Sequence, residues 1–257
     1  PLIRIIYLLF EMVSNNHLIV VKGIYILNFL VINVFFIRLL FIKKVPLIGK
    51  IIWFSLYYFL FSYVVLRNGF VYVSFALMIV SSYKRRFLAM YSFLCHLSGT
   101  IGLATLAVRK NFRFVMALTP VVGIVIYWLI NEVKISVFAL DKLVVYLDDS
   151  VQKSIGHYLL LVVVLSIYGI RRICASSASN RNIFNFLLIL YIVGFIIKPV
   201  VGARLAPFLV TALLLSPINS AVKRMNTDAL KSFYIVCLFL GLVINVLFFR
   251  DCHDLSF

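Results

Sequence analysis

The chain has 257 residues, of which 64% are hydrophobic and 13% are charged, and its mean hydropathy is +1.12. Apolar runs long enough to cross ~30 Å of hydrocarbon as helices recur along it, which excludes an ordinary soluble enzyme and predicts an all-α polytopic integral membrane protein. The net charge of +17 comes from short Lys and Arg clusters between these runs. Such clusters are typical of membrane topology signals, so the charge does not predict a nucleic-acid partner.

The first part of the chain is predicted to contain an interfacial helix followed by membrane spans. This helix carries Arg4 and Glu11 in a segment too short to cross the membrane unaided, so it is either interfacial or the end of a span whose start is absent. Because Pro1 already lies in an apolar segment, we expect an N-terminal portion of the protein to precede it. The predicted helices are residues 2–13, 18–41, 51–66 and 68–83.

A helical hairpin is predicted for residues 87–108, which lie between the basic clusters Lys84–Arg86 and Arg109–Arg113. The run is long enough for one crossing, but one crossing would place the two clusters on opposite sides of the membrane. A re-entrant hairpin that turns at residues 96–99 keeps both clusters on one side. Non-helical backbone at mid-membrane is tolerated only inside protein or beside a watery cavity, so the hairpin predicts a cavity.

The second half is predicted to add further spans, an outer loop and a polar inner linker. The linker is residues 173–182, and the outer loop is residues 131–157, a periplasmic loop with an amphipathic segment on the membrane surface. The chain is thus expected to be one transmembrane domain of about eight to ten membrane helices, with most Lys and Arg on the cytoplasmic side. The remaining predicted spans are residues 114–130, 158–170, 183–197, 205–218 and 232–249.

Three basic residues are predicted to lie at the outer membrane face: Arg67, Lys198 and Arg204. Arg67 and Arg204 each open a predicted helix, and Gly69 and Gly202 lie two residues from them, which permits close backbone approach. Helix N-termini that carry a permanently charged guanidinium are well suited to bind phosphate or diphosphate. The ordinary alternative is that these side chains only reach the lipid headgroups.

The predicted proton-transfer groups are His96, near the hairpin tip, and acidic residues of the outer loop. Ionisable residues at bilayer depth are costly, so His96 is predicted to have a catalytic or substrate-binding role, although a histidine bonded to backbone is the commoner case. Asp141 and Asp148 are predicted to face away from an apolar helical stripe, where one of them is placed to act as a general base. No His, Cys, Asp or Glu residues have metal-ligand spacing, so no metal or other cofactor is expected.

Four short motifs carry a resemblance to a known family: LRNGF at residues 66–70, KRRF at 84–87, HLS at 96–98 and GARLAPF at 202–208. An Arg-Asn-Gly helix start, a basic turn, an apolar run ending in His-x-Ser and a later Arg-led helix together resemble the Wzy-type O-antigen and exopolysaccharide polymerases, in particular the EpsG-like branch. The resemblance covers residues 60–115 well and residues 180–250 more loosely.

The resemblance implies a multi-pass enzyme of the bacterial inner membrane, with a GT-C-like architecture, that joins oligosaccharide repeat units carried on undecaprenyl diphosphate. Arg67, Arg204 and Lys198 would bind the diphosphate, and His96 or an outer-loop aspartate would position or deprotonate the acceptor hydroxyl. The lipid diphosphate is already an activated leaving group, so neither metal nor nucleotide is needed. The implied partners are the lipid-linked oligosaccharide, membrane lipids and a chain-length regulator.

Other functions are also compatible with the sequence. An O-antigen ligase or another polyprenyl-linked glycosyltransferase would use the same arginines with a different acceptor. A flippase or transporter of lipid-linked oligosaccharides would use them to line its path, although the sequence has no inverted pair of broken helices. A membrane scaffold for glycan assembly would need the arginines only for stability.

Overall fold

The computed structural model describes the chain as a bundle of α-helices. Within the described residues there is no β-strand, so the predicted all-α class is confirmed. The helices are α1 (Leu2–Val13), α2 (His17–Leu40), α3 (Leu47–Phe59), α4 (Leu66–Val80), α5 (Arg85–Cys95), α6 (Thr100–Lys110), α7 (Ile155–Ile173), α8 (Ala178–Ile197) and α9 (Pro199–Leu215), and residues 112–119 are also helical. The described residues are 2–14, 16–42, 45, 47–59, 66–81, 84–119, 121, 155–173, 177–197, 199–217, 235 and 239.

Helix α9 is the central helix and packs against α3, α4, α7 and α8. Every residue from Ala206 to Ser216 is buried, so protein covers this apolar helix on all sides. One polar bond crosses the core: Trp53 Nε1 of α3 donates to Thr211 Oγ1 of α9 at 2.8 Å. Because a buried polar group without a partner is costly, this bond favours a single register of α3 against α9.

Helix α2 is apolar over most of its surface between Gly23 and Ile37, but only one of its faces packs against protein. Val20, Ile32 and Leu39 are buried, whereas Ile26 and Val34 are 61% and 66% exposed. An unbroken apolar face of this length is unfavourable in water and favourable in hydrocarbon.

Two described helices are long and apolar enough to cross a membrane. They are α2, with 24 residues and a mean hydropathy of 2.2, and α8, with 20 residues and a mean hydropathy of 1.7. Shorter apolar helices occur in residues 69–80, 157–169 and 201–215. The length and composition of α2 and α8 indicate association with a membrane.

Basic side chains converge at one end of the bundle, which we call the basic end. All of them were predicted to lie on the cytoplasmic side. Their hydrogen bonds join the end of α2 to the start of α3, the end of α4 to the start of α5, the end of α6 to the start of α8, and the end of α7 to the end of α9. The bonds run from Lys50 to the Leu40 carbonyl, from Arg85 to the Ser81 carbonyl, from Arg109 to Asn180 Oδ1 and from Arg171 to the Leu213 carbonyl. The starts of α4 and α9 lie at the opposite end.

Helices α5 and α6 form the predicted hairpin. Each has 11 residues, which gives a length of about 16 Å, too short to cross a bilayer. The two helices are in direct contact, because a Cβ added at Gly102 of α6 would lie 3.7 Å from Ala89 Cα of α5. The predicted reversal at residues 96–99 is therefore confirmed, and a single straight helix over residues 87–108 is excluded.

Several helices begin earlier than predicted. Helix α8 begins at Ala178 because Ser177 caps it: Ser177 Oγ accepts the Asn180 backbone N–H at 3.2 Å. The prediction of a flexible linker over residues 173–182 is thus wrong for its second half. Helix α9 begins at Pro199, since proline fits the first position of a helix, and α7 begins at Ile155, within the predicted outer loop.

Candidate functional site

The hairpin turn is built by a break at His96 followed by a short 3-10 turn at Leu97–Gly99. His96 has extended backbone, with φ −160° and ψ 153°, which ends α5. The Gly99 N–H then donates to the His96 carbonyl at 2.8 Å. A Cβ at Gly99 would overlap the backbone carbonyl of Ser92, so the chain can reverse this tightly only with glycine at this position.

The orientation of the His96 imidazole indicates its tautomer. Nδ1 accepts the Ser98 backbone N–H at 3.2 Å and lies 3.0 Å from Ser98 Oγ. A ring nitrogen that accepts from an N–H carries no proton of its own, so in the neutral ring the proton is on Nε2. A neutral His96 therefore offers Nε2–H as a hydrogen-bond donor. This arrangement suits binding of an anionic oxygen better than removal of a proton from a hydroxyl.

Arg204 lies in the second turn of α9, with its side chain exposed. The prediction that Arg204 opens the helix is wrong by more than one turn, because α9 begins at Pro199. Its backbone carbonyl accepts a 3.0 Å hydrogen bond from the hydroxyl of Tyr72 in α4, which is 4% exposed. The bond holds the backbone of Arg204 against α4.

Arg67 lies in the first turn of α4, as predicted, and its side chain is outside the described part of the chain. Helices α4 and α9 are parallel, because Tyr72 bonds to the Arg204 carbonyl near their starts and both helices end at the basic end. Between these points the rings of Tyr72 and Phe75 pack on Phe208, at 4.8 and 5.1 Å between centroids. Tyr72 follows Arg67 by about 7.5 Å of helix rise. The backbones of Arg67 and Arg204 thus lie at the same end of the bundle.

Gly202 has the close-approach role that the sequence predicted for it. A Cβ added there would lie 2.9 Å from the Cα of Phe195 in α8, closer than side chains tolerate. The absence of a side chain at Gly202 therefore lets α8 and α9 pack closely just before Arg204.

The remaining predicted site residues lie outside the described part of the chain. They are Lys198, Asp141 and Asp148. Most of the outer loop 131–157 and nearly all of the last predicted span, 232–249, lie there too. Among the described residues Glu11 is the sole carboxylate, and no three His, Cys, Asp or Glu side chains are grouped to hold a metal ion.

The hairpin turn packs against α4, the helix that begins with Arg67. Helix α4 thus contacts both α9, through Tyr72, and the turn that holds His96. Tyr72 is the residue of this region that sequence reasoning missed. The signal available for it was a polar hydroxyl within an apolar helix, five residues after an arginine.

Comparison of the chain with protein-family models, with characterised proteins and with solved structures finds no match.

Proposed function

We propose that the chain is a multi-pass inner-membrane enzyme that polymerises oligosaccharide repeat units carried on undecaprenyl diphosphate, with a GT-C-like arrangement of helices. The observation that carries this proposal is the hydrogen bond from the Tyr72 hydroxyl to the Arg204 carbonyl. It joins α4 to α9, and these two helices are parallel, so the backbones of Arg67 and Arg204 lie at one end of the bundle. Arg67 in the first turn of α4 and Arg204 in the second turn of α9 together suit a diphosphate, which has two negative centres.

Insertion in a membrane is supported by the outward faces of the helices. Large apolar side chains point outward from α2, α5, α7 and α8, for example Leu30, Phe87, Val162 and Ile196, which are at least 54% exposed. The basic end carries many cations and no described carboxylate, which is typical of a cytoplasmic face. With the basic end in the cytoplasm, the starts of α4 and α9 face the periplasm, where a lipid-linked repeat unit would be used.

The reaction transfers a glycan from the lipid diphosphate to a hydroxyl of a second lipid-linked unit. The acceptor oxygen attacks the anomeric carbon, the bond from that carbon to the diphosphate oxygen breaks, and the diphosphate leaves with the electron pair. Arg67 and Arg204 stabilise the negative charge that develops on the leaving group, an effect of about 3–4 kcal/mol for each well-placed donor. Lys198, predicted at the same face, adds a further positive charge.

The acceptor hydroxyl must also lose its proton. Asp141 or Asp148 of the outer loop is the proposed base, since a carboxylate above the membrane surface can accept a proton from a bound sugar. His96 has a different proposed role. With Nδ1 engaged by Ser98, it is proposed to donate from Nε2 to an oxygen of the substrate and to help hold the substrate in place.

The proposal is tested by the polysaccharide ladder of polymerase-deficient cells that express the full-length gene. We expect Arg67→Ala and Arg204→Ala to reduce the ladder to single repeat units at unchanged membrane abundance. The matched control is Arg172→Ala, which removes an exposed arginine at the basic end. Normal ladders in both variants would remove the arginines from the mechanism.

The same cells distinguish the alternatives. Loss of the repeat unit from the outer face, rather than loss of its polymerisation, would indicate a flippase or transporter. A normal ladder that is not attached to its final acceptor would indicate a ligase. Either result would contradict the proposed polymerase.

A further inference from the structure

Two arginines lie near the C-terminal end of α4, at the end of the bundle opposite to the proposed catalytic face. Arg85, the first residue of α5, donates from Nε to the carbonyl of Ser81, which directly follows α4. Arg109, in the last turn of α6, lies beside Met78 and Ile79 in the last turn of α4. The hairpin therefore brings together two residues that are far apart in the sequence.

A narrow apolar crevice, with no enclosed space for a water molecule, adjoins Arg109 between α4, α6 and α8. Its wall is apolar except for Arg109 and Thr105, and Thr105 Oγ1 donates to the Ile101 carbonyl of its own helix at 2.7 Å. The lining residues are Met78, Ile79, Thr105, Leu106, Arg109 and Ile183. A cation at the edge of an apolar crevice matches the chemistry of a phospholipid, in which a phosphate adjoins acyl chains.

The positive charge of this pair is not balanced within the described residues. Arg109 donates to the neutral amide of Asn180 at 3.4 Å, and Arg85 donates to a backbone carbonyl. Burial lowers the pKa of Arg109, and the positive charge of Arg85 lowers this pKa further, so the two guanidiniums repel each other. The one described carboxylate, Glu11 in α1, hydrogen-bonds to the side chain of Tyr7. An anion placed between the arginines would relieve the repulsion.

We propose that Arg85 and Arg109 bind the phosphate group of an anionic phospholipid from the cytoplasmic leaflet, at the apolar edge of the bundle. Guanidinium groups suit this role because their planar donors bind phosphate oxygens in pairs. Each arginine uses one N–H in the bonds above, so other donors on each side chain can reach the ligand. The site is independent of the proposed polymerase activity, since it lies at the basic end.

The test is binding of phosphatidylglycerol to the purified full-length protein, measured by native mass spectrometry and by the rise in melting temperature. The variant Arg85→Gln/Arg109→Gln is compared with Arg86→Gln/Lys110→Gln, which removes two charges from neighbouring exposed positions on the same helices. We expect about tenfold weaker binding in the first variant and nearly unchanged binding in the second. Phosphatidylcholine should bind weakly to all three proteins.

A lysine variant and a measurement with inorganic phosphate complete the test. Arg85→Lys/Arg109→Lys keeps the charge and the fold but loses the paired donors, so we expect binding between that of wild type and that of the glutamine variant. Inorganic phosphate, added without lipid, tests a soluble source: stabilisation equal to that by phosphatidylglycerol would overturn the lipid assignment. Equal loss of lipid in the two glutamine variants would indicate a diffuse surface potential and would also overturn the proposal.

Discussion

Arg171 of α7 and Leu213 of α9 are joined by a buried hydrogen bond of 2.6 Å from the guanidinium Nε to the backbone carbonyl. Nη2 of the same group donates to the carbonyl of Ser216, just past the end of α9. The last carbonyls of a helix lack partners within the helix and carry its partial negative charge. Arg171, which is 1% exposed, therefore completes the end of the central helix.

Replacement of Arg171 should destabilise the protein. Arg171→Leu leaves two buried carbonyls without their donor, and we expect a loss of about 3 kcal/mol in the free energy of unfolding. Arg172→Leu is the matched control, because this neighbouring arginine is exposed, and its expected effect is below about 0.5 kcal/mol. The measurement is thermal unfolding of the detergent-purified protein. Equal losses in the two variants would mean that Arg171 acts only through its charge.

The bond between Trp53 and Thr211 should contribute measurable coupling across the core. Thr211→Val removes one partner and keeps the side-chain shape, whereas Trp53→Phe removes the other partner and also leaves a cavity, whose cost cancels in a double-mutant cycle. A double-mutant cycle of unfolding free energies is expected to give a coupling energy of about 1 kcal/mol, in the range found for buried polar bonds between membrane helices. Additive effects of the two substitutions would show that the bond does not stabilise the protein.

The hairpin turn should tolerate a methyl group at one of its glycines and not at the other. Gly99→Ala would force the added Cβ against the Ser92 carbonyl, at an expected cost of about 1–3 kcal/mol. Gly102→Ala is the control in the same hairpin, since its Cβ would meet Ala89 at an ordinary contact distance. Fluorescence-detected gel filtration after a heating series provides the comparison. A Gly102→Ala protein that is less stable than Gly99→Ala would contradict this packing.

The two ends of the hairpin should be accessible from the same side of the membrane. Single cysteines at the exposed positions Arg86 and Lys110, in a background without the four native cysteines, are expected to react with an impermeant maleimide only after the cytoplasmic face is opened. A single crossing would instead expose Lys110 to the periplasm in intact cells. That result would invert the topology after residue 108 and move Arg204 away from the face that holds Arg67, which would contradict the proposed polymerase site.

The tautomer of His96 predicts which substitution preserves activity. The amide nitrogen of glutamine can replace Nε2–H as a donor, whereas alanine cannot. We therefore expect His96→Gln to retain most of the polymerisation and His96→Ala to lose about a hundredfold, measured as incorporation of labelled repeat units in membranes. Equal loss in the two variants at equal abundance would instead favour a proton-accepting role for His96.

Local sequence was sufficient for the helical class, for most of the helices and for the hairpin. The lengths of the apolar runs predicted the bounds of α1 and α2 almost to the residue. In an apolar environment the backbone N–H and C=O groups of such a run have no water to bond, and a helix provides their hydrogen bonds within the segment. The basic clusters on both sides of residues 87–108 predicted the reversal at His96, because Lys and Arg clusters in short loops stay on the cytoplasmic side of a membrane. The cap at Ser177 was also present in the sequence, and the polar linker around it concealed the signal.

Tertiary structure decided which polar groups are buried and what they contact. In sequence, Arg171 and Arg172 are equivalent members of one basic cluster, yet one completes the end of α9 and the other is exposed. The bonds of Tyr72 to Arg204 and of Trp53 to Thr211 join residues far apart in the chain. Apolar length and charge act locally and set where helices form, whereas the partner of a buried polar group depends on how the helices pack.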